Sequence, residues 1–482
     1  MVNFRVIARV LSKVLVFEGL LMLLSAAVSF IYKEPAAKQL LFSSIITIVA
    51  GILVFTPLRD DERLTGYKEG YIIITGLWIV CSLFGTLPFI LSGSITNFGN
   101  AFFESISGFT TTGATILTDI ESLPHGILFW RSITQWLGGL GFILISLSLI
   151  PVVKSLNVQL TLTDFTGQAT DKINPKVTGA AKRLISIYTT LTLAEAILLV
   201  ISGMPLFDSV CHSLTTMSTG GFATRDNSIS SFGSPAVLII TSVFMLTAGT
   251  NLTLIYYAIK KNFKKIISNS EFVLYTILCF IFILIVSVTL VIKPGIPAGK
   301  GILEGIFQTI SIMTTTGFYI SDYSQWGGFL IFILFLLMLS GGTSGSASSG
   351  IKIGRILLIA KNARHEMRRM LHPNAFLPVR HDKKVVAHDM MDNILVFLIL
   401  YLFTISVSAI IISLMGYDLI TSFSTSAAML ANIGPSIGTL GPFSNYAAVP
   451  MAGKWFFSLL MLLGRLELIS VLIFFTRSFY RR

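Results

Sequence analysis

The sequence predicts an all-α polytopic membrane protein: two N-terminal spans, then four repeats of span, short helix, loop and span. Two observations carry this. The 482 residues are 53% hydrophobic and only 12% charged, with a mean hydropathy of +0.81. Soluble chains carry about 25% charged residues, so three soluble domains are excluded. The second observation is a set of ten apolar runs. Crossing a hydrocarbon core of about 30 Å takes about 20 helical residues, and the runs meet or approach that length. Disorder, collagen and a disulfide scaffold are excluded too. Only Cys81, Cys211 and Cys279 occur, in apolar or loop-flanking stretches, and they predict no disulfide framework.

The runs lie near 14–32, 39–58, 70–92, 128–151, 184–204, 234–259, 272–292, 327–358, 392–415 and 455–476. Arg5, Arg9 and Lys13 precede the first, as in a signal peptide, but the run from Val14 to Tyr32 is too long for one and reads as a retained span. The eighth run is interrupted and the tenth contains charge. Between runs, 27 of the 35 Lys and Arg fall on one side and 7 on the other, with Arg465 inside the tenth. That asymmetry places both termini in the cytoplasm. The net charge of +12 is then mostly topology and contact with anionic lipid. It does not mark a nucleic-acid surface.

After two N-terminal spans (1–60) the chain repeats itself over 68–156, 178–265, 270–385 and 388–482. Four stretches align: Phe109-Thr-Thr-Thr-Gly113, Met217-Ser-Thr-Gly-Gly221, Met313-Thr-Thr-Thr-Gly317 and Leu430-Ala-Asn-Ile-Gly434. Eight residues before each glycine is a hydroxyl: Ser105, Ser213, Thr309 or Ser426. Two before it is Thr111, Thr219, Thr315 or Asn432. Each stretch follows about 12 helix-compatible residues, too few to span. One such stretch reads as an external hairpin. Four in register read as a pore. A cation entering lipid must exchange its water for other oxygens, and backbone carbonyls of an extended loop supply them. Non-helical backbone at membrane depth is tolerated where protein buries it or a pore wets it. The expected filter comprises Thr111, Thr112 and Gly113; Thr219, Gly220 and Gly221; Thr315, Thr316 and Gly317; and Asn432, Ile433 and Gly434. Its ligands to a transported cation are backbone carbonyls.

The eighth run holds 14 apolar residues, Gly327 to Ser340, about 21 Å of helix and too short to cross. Then comes Gly341-Gly-Thr-Ser-Gly-Ser-Ala-Ser-Ser-Gly350, too polar to face lipid. It reads as an intramembrane loop under the third filter stretch. Discontinuous helices mark transport sites, so Gly341, Gly342, Gly345 and Gly350 are candidate gate residues. The plain alternative is a linker that has left the membrane. Arg465 is 11 residues after Lys454 and 12 before Arg477, near the bilayer centre, where a charge is functional by default. It reads as a cavity-facing barrier to cations, or as a structural bond to another span or to the loop. Glu104 either attracts cations or bonds the filter backbone. Glu18 and Glu195 read as locally satisfied or networked carboxyls. Two cytoplasmic segments stand out, the moderately polar 157–183 and the strongly basic 356–392. The second, with Lys361, Arg364, Arg368 and Arg369, reads as an anchor at anionic lipid and as a dock for a partner, coupled to the loop just upstream. The six histidines show no metal-ligand spacing, and no nucleophile–base constellation or phosphate loop is present. An enzyme is not expected.

These residues resemble the Trk/Ktr/HKT superfamily of potassium transporters over essentially the whole chain, and within it the bacterial TrkH/TrkG type. The likeness rests on Ala101-Phe-Phe-Glu-Ser105 leading into Thr110-Thr-Thr-Gly113-Ala-Thr115, on Gly220-Gly-Phe222, Thr316-Gly-Phe318 and Asn432-Ile-Gly434-Pro435, on Ile356-Leu-Leu with His372-Pro-Asn-Ala375, and on Gly464-Arg-Leu-Glu467. The two extra spans favour TrkH/TrkG over Ktr. The resemblance implies a pseudo-fourfold pore conducting potassium inward, in a homodimer in the bacterial cytoplasmic membrane. It implies a cytosolic TrkA-type regulatory tetramer that binds a nucleotide of the NAD, ADP or ATP kind, with no cofactor in this chain. Ala431, Asn432 and Ile433 stand where the first stretch has threonines, and Gly220 precedes the second glycine. Sodium permeation, or symport with H+ or Na+, stays open.

Overall fold

The computed structural model describes residues 3–56, 67–154, 177–372, 378–382 and 384–480. Arg59, Arg63, Lys172, Lys176, Pro373 to Ala375, Lys383, Arg481 and Arg482 fall outside these, as does most of the 157–183 segment. The architecture is helical, apart from a two-residue β pair, Arg380–His381 with Lys384–Val385.

Two helices, Phe4–Ile31 and Ala36–Phe55, form an N-terminal hairpin. Small residues line its seam: Ser12, Ser25, Ser43, Ser44 and Thr47 are buried. A Cβ on Gly19 would lie 2.5 Å from Ile48, and one on Gly51 2.7 Å from Val16. Small residues let helix backbones approach closely in lipid, where apolar area alone gives no drive to associate. The hairpin leans on the first repeat, where the Glu34 carboxylate accepts the His125 N–H at 2.7 Å and Tyr32 stacks on the His125 ring at 3.9 Å.

Each repeat has a leading helix, a short helix and a trailing helix. The leading helices are Tyr67–Phe84 (extended by Leu87–Leu91), Val177–Ile201, Ser270–Ile292 and His388–Leu414. The short ones are Phe98–Phe109, Leu206–Met217, Ala298–Met313 and Leu419–Leu430. Their starts are written in the sequence. Asn97 and Asp418 cap the first and fourth with their side chains, and Pro205 and Pro297 precede the second and third. Leading helices turn apolar side chains outward, with Ile197, Phe280 and Ile399 more than half exposed. The hydroxyls of the short helices are inside. That is the inverse of a soluble protein and suits lipid as solvent.

The trailing helices close a circle. His125–Lys154 packs on the second short helix, Pro235–Ala248 on the third, Gly328–Ser340 on the fourth, and Met451–Arg465 back on the first. At the closing joint Lys454 donates to Asn100 at 2.9 Å, Trp455 stacks on Phe102 at 4.9 Å, and the Tyr446 N–H reaches the Thr115 carbonyl at 2.9 Å.

The structure corrects two of the ten runs. Run 234–259 is not one straight helix: it breaks after Ala248 and turns by 108° into Leu252–Ile259. Run 455–476 ends as a helix at Arg465, because Glu467 and Leu468 take positive φ, +57° and +48°. The eighth run breaks as expected, after Ser340. Three trailing helices therefore stop after 14, 13 and 15 residues. Among the described residues, six helices are long and apolar enough to cross a membrane, seven with the bent pair. The first trailing helix adds 30 continuous residues.

Candidate functional site

Each short helix ends in the same backbone signature. The residue two before the glycine and the glycine itself both take positive φ: Thr111 and Gly113 (+55°, +80°), Thr219 and Gly221 (+54°, +76°), Thr315 and Gly317 (+58°, +83°), Asn432 and Gly434 (+54°, +92°). Between them the middle residue's N–H returns to the short helix: Thr112 to Ser107, Gly220 to Thr215, Thr316 to Ser311 and Ile433 to Ala428, at 2.8–2.9 Å. A left-handed threonine is uncommon, and its recurrence at three loops, with Asn432 at the fourth, means the fold imposes it.

The four loops meet. A Cβ on Gly113 would lie 2.2 Å from the Gly220 carbonyl oxygen, and one on Gly221 2.1 Å from that of Thr316. One on Gly317 would lie 1.9 Å from Ile433 O, and one on Gly434 2.5 Å from Thr112 O. Each glycine abuts the middle carbonyl of the next loop, and the fourth abuts the first. The contacts form a closed ring in which any side chain at those glycines would collide with backbone. The twelve residues expected as a filter are all at this ring.

Buried side chains brace it, among them Arg131, which sequence reading did not single out. Glu104, fully buried, accepts from the Ile116 N–H at 3.0 Å and pairs with Arg131 at 2.9 Å. Of its two expected roles, it bonds the backbone that follows the first loop. Arg131 continues to Ala223 O at 3.1 Å and stacks on Phe222 at 4.1 Å. Asn432 donates to Thr112 Oγ1 at 2.8 Å and to Met461 O at 2.9 Å. Glu18 is buried beside a cavity that Phe109 and Gly138 also line, and Glu195 is buried on the second leading helix.

Directly against the ring lies the segment between Gly341 and Lys352. Thr343, Ser344, Ser346 and Ser348 are all buried, so it is no solvent linker. Its two ends touch: a Cβ on Gly341 would sit 2.1 Å from Ser349 O, and Gly350 lies against Gly341. Gly342 packs on Ser348 and Gly249, and Gly345 on Asn251. The Thr343 N–H donates to Gly249 O at 2.9 Å, at the break of the second trailing helix. The Ser349 N–H donates to Thr315 Oγ1 at 3.0 Å, which joins the segment to the third loop of the ring.

Charged groups hold it. Arg465 donates to Ala347 O at 2.8 Å, Ser349 Oγ at 3.2 Å and Gly138 O at 3.0 Å, and lies over Phe142 at 4.5 Å. Of the two sequence readings, the bond to the loop is the one these contacts describe. Glu271, at the start of the third leading helix, accepts from the Ser344 N–H at 2.6 Å and the Gly354 N–H at 2.8 Å. It thus ties the middle of the segment to its exit. Lys352 bonds Ser348 O, and Arg355 pairs with Glu467. Glu271 and Lys352 escaped sequence reading because a lone charge at a helix boundary looks like ordinary flanking charge. The segment feeds straight into Ile353–Leu371, where Arg364 and Arg368 are exposed.

Comparison with known proteins gives one consistent result. The family model described as "TrkH: Cation transport protein" matches residues 36–479. The chain is 33% identical to the Trk system potassium uptake protein TrkH of Halomonas elongata, over all of both chains. It is 31% identical to the Trk system potassium uptake protein TrkG of Escherichia coli, over 99% of each. The crystal structure of the potassium transporter TrkH from Vibrio parahaemolyticus superposes with a TM-score of 0.91 at 30% identity, covering 99% of this chain and 100% of that one.

Proposed function

The chain belongs to the TrkH family of cation transport proteins, a transporter and not an enzyme, and from that premise we propose that it is the pore-forming subunit of a potassium uptake system. The observation that supports this reading is the closed ring of four loops. Units 68–156, 178–265, 270–385 and 388–482 each supply one quarter of it. Each loop directly follows the C-terminus of a short helix, which carries a partial negative charge of roughly half an electron. Four such ends at one ring favour a cation. Carbonyls of Thr111 to Gly113, Thr219 to Gly221, Thr315 to Gly317 and Asn432 to Gly434 replace the water that potassium sheds.

The Gly341–Gly350 segment is the gate in its closed position, and Arg465 both pins it and repels cations beneath the ring. Opening requires the Arg465, Glu271 and Lys352 contacts to let go. The lever is the basic helix Ile353–Leu371, on which a cytosolic TrkA-type tetramer docks. The nucleotide, of the NAD, ADP or ATP kind, binds that partner. The working unit is a homodimer in the bacterial cytoplasmic membrane, with both termini cytoplasmic, as the 27-to-7 division of Lys and Arg supports.

A second reading is favoured by one observation. Gly220 and Ile433 place no hydroxyl where Thr112 and Thr316 have one, so a less selective potassium and sodium pathway follows from an unequal ring. Uptake of rubidium, sodium and caesium by proteoliposomes, driven by membrane potential alone, tests both. Rubidium uptake without a pH or sodium gradient supports a passive potassium pore. Comparable sodium uptake supports the second reading, a strict need for a proton or sodium gradient means symport, and no uptake of any cation overturns the assignment.

A further inference from the structure

The four loops are not braced alike. In the first and third, the middle threonine's hydroxyl meets that of the threonine two residues earlier: Thr112 with Thr110 and Thr316 with Thr314, each at 2.8 Å. These loops lock themselves. The second loop has Gly220 at that position and cannot. Its place is taken from outside. The carboxamide of Gln135, on the first trailing helix, fills the space a side chain at 220 would occupy, with its atoms 2.4–2.8 Å from a Cβ built there.

Gln135 is fully buried, and both ends of its amide are used. Nε2 donates to Gly220 O at 2.7 Å, and Oε1 accepts from the Phe222 N–H at 3.0 Å. A backbone carbonyl only accepts and a backbone N–H only donates, so these partners fix which end of the amide points where. The two bonds straddle Gly221. They hold both joints of the loop at once, because Gly220 O abuts Gly113 and Gly221 abuts Thr316 O. One turn earlier on the same face, Arg131 secures Ala223 O of the same strand. The atypical fourth loop is also braced by a carboxamide, that of Asn432.

We propose that Gln135 is a positioning residue for ion discrimination: it replaces, from a neighbouring repeat, the hydroxyl brace that the second loop lacks, and so sets the ring's preference for potassium-sized over sodium-sized cations. This rests on the pore reading above. Ring dimensions and carbonyl field determine that preference, and in the second loop Gln135 is the side chain that bonds both Gly220 O and the Phe222 N–H.

The test uses purified full-length protein in proteoliposomes and reads the rubidium-to-sodium uptake ratio, apart from maximal rate and folded yield. Gln135→Leu keeps the bulk and removes both bonds. The ratio is expected to fall about three- to tenfold, the scale of one net hydrogen bond, with rubidium still carried. Gln135→Glu keeps the shape but turns an acceptor toward Gly220 O. It is expected to lower the ratio too, and it serves as the reading if the leucine variant does not fold. The pair Gln135→Ala with Gly220→Thr puts the hydroxyl back on the loop in the vacated space and is expected to restore the ratio. An unchanged ratio in a folded, transporting Gln135→Leu or Gln135→Glu protein overturns the proposal, as does a loss of rate alone. If wild-type protein itself carries no cation, the pore reading fails instead.

Discussion

The ring and the segment beneath it are both irregular backbone, both buried and both glycine-punctuated, yet they are held by different forces. The ring is held first by main chain, with buried neutral side chains such as Gln135 and Asn432 bracing it. Middle-residue N–H groups return to the short helices, and four glycines leave no room between neighbouring loops. The Gly341–Lys352 segment adds to its main-chain bonds at Gly249 O and Ala248 O a set of charged side chains: Arg465 and Glu271 from two other elements, and its own Lys352. Main-chain contacts of that density cannot be exchanged without unfolding. Side-chain contacts can be broken one by one. In the gate proposed above, the ring is the part that stays and the segment the part that moves.

Substitutions sharpen that contrast, beginning with the ring. Gly317→Ala should reduce rubidium uptake by at least about tenfold, about 1.4 kcal/mol in rate terms, because its methyl would lie 1.9 Å from Ile433 O. Unchanged uptake at normal folded yield would show the ring to be as adaptable as the segment. Arg465→Ala should act in the opposite direction. Removing three donors and a buried charge should raise uptake at least about tenfold, since even one charge-assisted bond contributes about 1.5 kcal/mol or more to the closed position proposed above. Lower flux with normal expression would assign Arg465 to ring integrity instead.

A milder change is Glu271→Gln, which keeps size but weakens the acceptor for Ser344 and Gly354. Uptake should rise about threefold, as expected when charge-assisted hydrogen bonds become neutral ones. A drop in melting temperature with unchanged flux would make Glu271 a folding residue only. Smallest is Thr315→Val at the seam between the two regions. It deletes the acceptor for the Ser349 N–H and should raise uptake about twofold, the lower end for one neutral hydrogen bond. A change in ion preference larger than that in rate would show that the two regions are one unit.

Sequence reading reached the repeats, the ring glycines and the break after Ser340, because each is local. Gly113, Gly221, Gly317 and Gly434 recur with the same neighbours, and the polar run at 341–350 interrupts an apolar one. It missed the breaks after Ala248 and Arg465, although Gly249-Thr-Asn251 and Arg465-Leu-Glu467 mark them, because the apolar stretches on either side keep the run looking continuous. The 108° turn at Gly249 depends on a contact with Thr343 far along the chain. It missed Gln135 and Glu271 for the same reason. Their partners are 85 and 73 residues away, and one buried Gln or Glu in an apolar helix has no periodicity to betray it. The role of Arg465 was narrowed to two candidates, but only the packing of the first trailing helix supplies Gly138 O as its third partner.

The central claim is that a cation is held inside the ring of loops. Rubidium located by anomalous diffraction in crystals of the full chain tests it most directly. The account predicts rubidium density on the axis of the ring, among Gly113, Gly221, Gly317 and Gly434. Density confined to another part of the molecule, or none within the ring at rubidium concentrations that support uptake, would contradict it.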